Sequence, residues 1–108
     1  MENKSEYIMI MSTCPDKETA KKIAGILVKA KIAACVQSFP IESVYTWDGE
    51  ICESAEIALI IKSKTSLFDK LKSTIKENHG YEVPEIVCFP ITDGLPEYIK
   101  WIDDCTEC

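Results

Sequence analysis

Apolar positions along the chain repeat with two different periods. Tyr7-Ile-Met-Ile-Met11 is a short continuous apolar run. Its length predicts a buried first strand, broken at Thr13-Cys14-Pro15-Asp16. Asp16 has the chemistry of a helix N-cap, because its carboxylate can accept from the free amides of the next turn. Ala20, Ile23, Ala24, Leu27 and Ala30 then recur at spacings of three and four. That pattern predicts an amphipathic helix ending near Lys31. Gly25 interrupts it at a cost of about 1 kcal/mol relative to alanine, and a close helix-to-sheet contact is one reason to expect it there.

A second extended segment begins at Ala33–Val36 and resumes after Pro40 as Ile41–Trp47. Asp48-Gly49 follows, and then a returning strand with the continuous apolar core Ile57–Ile61. Asp-Gly between β-prone runs predicts a hairpin, since a type I′ turn needs positive φ at both central residues. Ser63–Ser66 carries cap chemistry. Leu67, Phe68, Leu71 and Ile75 predict a second amphipathic helix, with Gly80 suited to a left-handed position beyond its end. Glu85–Ile91 reads as a further strand, where Pro90 argues for a sheet edge. Pro96 opens a last helix holding Tyr98, Ile99, Trp101 and Ile102.

The order β-α-β-β-α-β-α predicts an α+β fold: a ferredoxin-like split βαβ sandwich with an added C-terminal helix. Both earlier helices would cover one face of a four-stranded antiparallel sheet. The other face and the edges are left needing cover, and exposed edges invite pairing with another chain. The hairpin around Trp47 and the last helix are the elements expected to cover a neighbouring copy.

Length and charge narrow the function classes. With 108 residues there is room for a single domain, 1–108, which would gain from assembly with copies of itself. Eighteen acidic residues against 12 basic ones give a formal charge of −6, which argues against a nucleic-acid partner. Lys17, Lys21, Lys22, Lys29 and Lys31 fall at helical spacing among acidic neighbours and form no basic patch. No apolar run reaches the roughly 20 residues that span a bilayer, and Met1–Glu6 is too polar to begin a signal peptide. The expectation is a soluble cytoplasmic protein with no membrane partner. In that compartment six cysteines do not imply a disulfide scaffold. Cys35 and Cys88, beside apolar neighbours, are expected to be buried as small hydrophobes.

Six motifs, in order and without gaps from Tyr7 to Ile102, resemble the CutA divalent-cation-tolerance family. They are Thr13-Cys14-Pro15, Lys31–Val36, Tyr45-Thr-Trp-Asp-Gly49, Glu53–Glu56 leading to Lys62, His79–Ile86 and Gly94–Trp101. The resemblance implies a ferredoxin-like homotrimer whose sheets continue one another. It also implies binding of copper or other divalent metal ions in metal-ion homeostasis. The metal residues it implies are His79 and Glu85. Some members carry a cysteine where this chain has Ser12, so Cys14, two residues on along the same strand face, joins them as a candidate ligand. Imidazole, thiolate and carboxylate together suit copper or zinc. Two departures stand out: Gly80 replaces the family's usual proline, and Leu95 replaces its usual asparagine.

Other residues have readings of their own. Cys105-Thr-Glu-Cys108 has the spacing for one soft metal or a reversible disulfide, although a chain end is expected to fray. Tyr45, Trp47 and Trp101 are expected at subunit interfaces, where aromatic anchors dominate energetics. Tyr81 and Glu82, beside Lys62, are expected to line a polar inter-subunit cleft, and Glu56 to pair with Lys62 across strands or across subunits. Glu50, Glu53 and Glu56 fall close together in sequence and read as a solvated acidic edge. No nucleophile–base pair or phosphate-binding loop occurs, so no enzyme activity is expected. The alternative to metal handling is a ligand-sensing or scaffold module like the trimeric PII proteins, binding a small molecule or protein partner in such clefts.

Overall fold

The structure, a computed structural model, describes residues 5–107. Its elements follow the expected order: β1 (Tyr7–Cys14), α1 (Lys17–Lys29), β2 (Cys35–Trp47), β3 (Glu50–Lys64), α2 (Phe68–Asn78), β4 (Ile86–Pro90) and α3 (Pro96–Cys105). A short 3-10 turn, Thr65–Leu67, leads into α2. The sheet runs β2-β3-β1-β4 and is antiparallel throughout. This is the ferredoxin-like α+β fold with an added C-terminal helix.

Alternation assigns the two faces. Ile8, Ile10 and Cys14 of β1 and Ile57, Leu59 and Ile61 of β3 are buried in one cluster with Ala20, Ile23 and Leu27 of α1 and Leu71 and Ile75 of α2. Successive strand residues point to opposite faces, so Met9, Met11, Ala58, Ile60, Lys62 and Lys64 lie on the other side. There α3 packs against the end of β3. Ile102 is fully buried, and Lys64 Nζ pairs with Asp103 at 3.4 Å. Thr106 and Glu107 are held rather than frayed, contrary to expectation. Lys64 Nζ reaches the Thr106 carbonyl at 3.5 Å, and the Glu107 amide donates to Lys31 O at 2.9 Å. Cys105 is half-buried at the end of α3, and Cys108 lies outside the described residues.

Several local expectations shift. β1 continues through Thr13 and Cys14, and the break falls at Pro15. Pro40 does not interrupt β2, because β2 is an edge strand whose missing donor can face outward. Pro90 occupies the opposite edge in β4. Gly80 has no positive φ; His79 caps α2 in an extended conformation (φ −99, ψ 146). The left-handed helix end is instead at Lys31 (φ 61), after α1. There the Lys31 amide bonds Val28 O and the Ile32 amide bonds Leu27 O, the two bonds of a Schellman motif. A Cβ added at Gly25 would meet nothing within 4 Å, so no close contact requires that glycine. Neither cysteine is fully buried as expected: Cys35 is half-buried on edge strand β2, its sulfur 3.7 Å from the Tyr98 hydroxyl, and Cys88 is exposed on edge strand β4.

The turn at Asp48-Gly49 has positive φ at both residues (53° and 75°), as the sequence predicts. Beyond it the hairpin is unusual. β1 covers β3 only from Ile57 to Lys64, so residues 41–56 pair with each other alone. They form a two-stranded arm reaching past the body of the sheet.

Candidate functional site

The arm and the loop that follows α2 face one another across an open cleft of about 740 Å3. His79 sets the loop's path. A carbonyl only accepts, so His79 Nε2 must donate to Thr13 O, 2.5 Å away at the end of β1. An amide only donates, so Nδ1 accepts from the Tyr81 N–H at 3.1 Å. The neutral tautomer protonated at Nε2 satisfies both bonds. The Tyr81 ring then lies 4.7 Å from the imidazole, and its hydroxyl donates to Glu56 Oε2 at 2.7 Å.

Glu56 stands where the arm joins the body, on the face opposite α1 and α2. It is only 8% exposed, and its one hydrogen-bond donor among the described residues is neutral. No cation pairs with it among the described residues. Burial pushes the Tyr81 hydroxyl pKa well up, reinforced by its hydrogen bond to the Glu56 carboxylate and by that charge. Tyr45, on the arm, accepts from Ser54 Oγ at 3.2 Å and is 43% exposed at the cleft.

The residues expected to bind metal are placed apart. Glu85 is exposed and lines the cleft. Cys14 is fully buried in the helix-facing core, and burial, then Asp16 and Glu56, push its thiol pKa up to about 11. The atom of β1 that meets His79 is the Thr13 carbonyl, not the Cys14 sulfur. Both imidazole nitrogens are already committed. Among the described residues no group of three His, Cys, Asp or Glu side chains is gathered to hold a metal ion. The three candidates therefore do not fit a copper centre as they stand in one chain.

The expected cleft residues also divide. Tyr45, Trp47, Tyr81 and Glu82 line the same cleft. Lys62 does not. Its Nζ bonds Gln37 Oε1 at 3.0 Å and lies 5.8 Å from the Tyr98 ring centroid, near α3. Lys62 lies six residue steps from Glu56, about 20 Å along β3, so a pair between them does not form within one chain. Glu50 and Glu56 face one side of β3 and Glu53 the other, so the three form no cluster. Trp101 packs against Tyr98 with ring centroids 5.5 Å apart on α3, away from the arm. The Thr13 carbonyl as the anchor of His79 was not foreseeable from sequence, since any residue offers that atom. The role of Glu56 had a signal: it is a carboxylate directly preceding a five-residue apolar run.

Comparison with known proteins accords with this architecture. The CutA1 divalent ion tolerance protein family matches residues 8–105. The rice protein CutA 1, chloroplastic, is 44% identical over 100 residues, which is 92% of this chain and 56% of that protein. The chain thus spans little more than half the length of its plant relatives. The divalent-cation tolerance protein CutA of Thermus thermophilus is 42% identical, covering 91% of this chain and 96% of that protein. The crystal structure of CutA1 from Shewanella sp. SIB1 superposes with a TM-score of 0.95 at 41% identity, over 98% of this chain and all of that one. Fold, motif order and sequence agree over nearly the whole length, and the chain belongs to the CutA1 divalent ion tolerance family.

Proposed function

We propose that this protein contributes to divalent-cation tolerance as a homotrimer, and that cations, copper among them, are bound where copies meet. The single observation that carries the reading is the match to proteins named for divalent-cation tolerance over 91% of this chain and 96% of the Thermus protein. The geometry supports assembly in two ways. A two-stranded arm is marginal in water on its own. The uncovered sheet face also presents Phe39, Val87 and Phe89, each more than two-fifths exposed. Large apolar patches of this kind mark association surfaces.

Metal binding needs more than one chain supplies. Glu85 and Glu82 are accessible oxygen donors at the cleft. His79 becomes a ligand only by giving up one of its two hydrogen bonds. Donors from a neighbouring copy would complete a coordination sphere that one chain leaves open. Native mass spectrometry of the reduced protein, with and without one equivalent of copper per chain, tests both halves of the reading. The expected result is a trimer that takes up copper and loses it in Glu85→Gln. A trimer that stays empty would remove the metal half, and a monomer would remove the assembly half.

A further inference from the structure

Glu56 poses a problem that the described residues do not solve. A carboxylate more than nine-tenths buried normally has a cationic partner, because removing an ion from water is costly. Among the described residues Glu56 has the neutral Tyr81 hydroxyl as its partner and no cation. The cleft it borders carries three more carboxylates, Glu42, Glu82 and Glu85, and not one lysine or arginine. Such a lining repels anions, so an anionic ligand does not fit this site.

Among the described residues of one chain, no three of these groups gather closely enough to hold a bare metal ion by themselves. The carboxylates are instead spread along the cleft, and Tyr45, Trp47 and Tyr81 stand among them. Aromatic faces attract ammonium groups through the ring quadrupole and pack methylene stems as well. A volume of about 740 Å3 is within the range of small-molecule sites.

We propose that this cleft binds an extended organic cation carrying two or more ammonium groups, with one ammonium at Glu56 and the alkyl stem across the aromatic side chains. The proposal stands apart from metal handling: it needs neither His79 as a ligand nor a bound metal.

Spermidine is a suitable probe, titrated calorimetrically into the assembled protein at physiological salt, with magnesium chloride as the control for diffuse charge. Trp47 fluorescence, read in a Trp101→Phe background, reports whether the probe enters the cleft. Saturable spermidine binding is expected, weakened about tenfold or more by Glu56→Gln, which keeps an acceptor for the Tyr81 hydroxyl. Trp47→Leu should also weaken it while leaving every charge in place. Matching melting curves would show that both variants fold. Binding that ignores both substitutions, or that magnesium matches at equal ionic strength, would mean diffuse attraction and overturn the proposal. So would an assembled protein that takes up no spermidine, which would mean that a neighbouring copy already fills the cleft.

Discussion

Ser12 sends a hydroxyl into the helix-facing side of the sheet, fully buried between Ile10 and Cys14, and finds no hydrogen-bond partner among the described residues. An unmet buried polar group costs about 1–3 kcal/mol. Ser12→Ala should therefore stabilise the protein by about 1 kcal/mol, read as a higher urea midpoint; a lower midpoint would mean that an unseen partner serves the hydroxyl. The buried Cys14 and the half-buried Tyr81 set the alkaline limit. Cys14 is held protonated to about pH 11 against an ordinary 9.0, and the Tyr81 pKa is also raised above its ordinary 10.0. In the unfolded chain both revert to ordinary acids. Between pH 9 and 11 that chain loses protons that the folded one keeps, so stability must fall as pH rises through this window. A tenfold difference in acidity between the folded and unfolded chain is worth roughly 1.4 kcal/mol. The denaturation midpoint should drop steeply between pH 9 and 11, and less steeply in Cys14→Ala. Equal slopes would mean that the thiol is not the group responsible.

At the scale of elements, most of the fold was legible because strand and helix periods are written directly in the apolar pattern. The hairpin was legible because Asp48-Gly49 is chemistry that only one kind of turn uses. The misplaced details share a cause: they depend on what lies beside the segment in space. Pro40 could not be assigned to a continuous strand without knowing that β2 is an edge. Gly80 was expected to end α2 in the left-handed region, but His79, bonded to Thr13 and Tyr81, fixes an extended exit instead. Gly25 was expected to mark a close contact, and open space surrounds it. That last difference is measurable. Gly25→Ala in the middle of α1 should stabilise by about 0.5–1 kcal/mol, since nothing opposes the added methyl and the unfolded chain loses freedom. A loss of stability would place a neighbouring copy against that side of α1.

The candidate site was legible in part for the same spatial reason. Its members come from the arm, the end of β1 and the loop after α2, and motif order alone does not say which of them meet. Glu85 and Tyr81 do share a cleft, while Cys14 turns into the core and Lys62 sits at the far end of β3. The same argument applies to the whole molecule. On the face that α3 only partly covers, Phe89 of β4 sits opposite Met9, and Phe39 of β2 opposite Ala58. A lone chain would leave this apolar surface and both sheet edges in water, which is the support for the proposed assembly. Phe89 lies outside the cleft, so Phe89→Glu tests assembly without touching the carboxylates or aromatic walls. The wild-type protein should run at trimer mass in light scattering at micromolar concentration. The variant should shift towards monomer with its far-ultraviolet circular dichroism unchanged, because a charge on an already exposed position need not disturb the core. If the variant keeps the wild-type mass, the copies meet through another surface, and the arm around Trp47 becomes the next element to substitute.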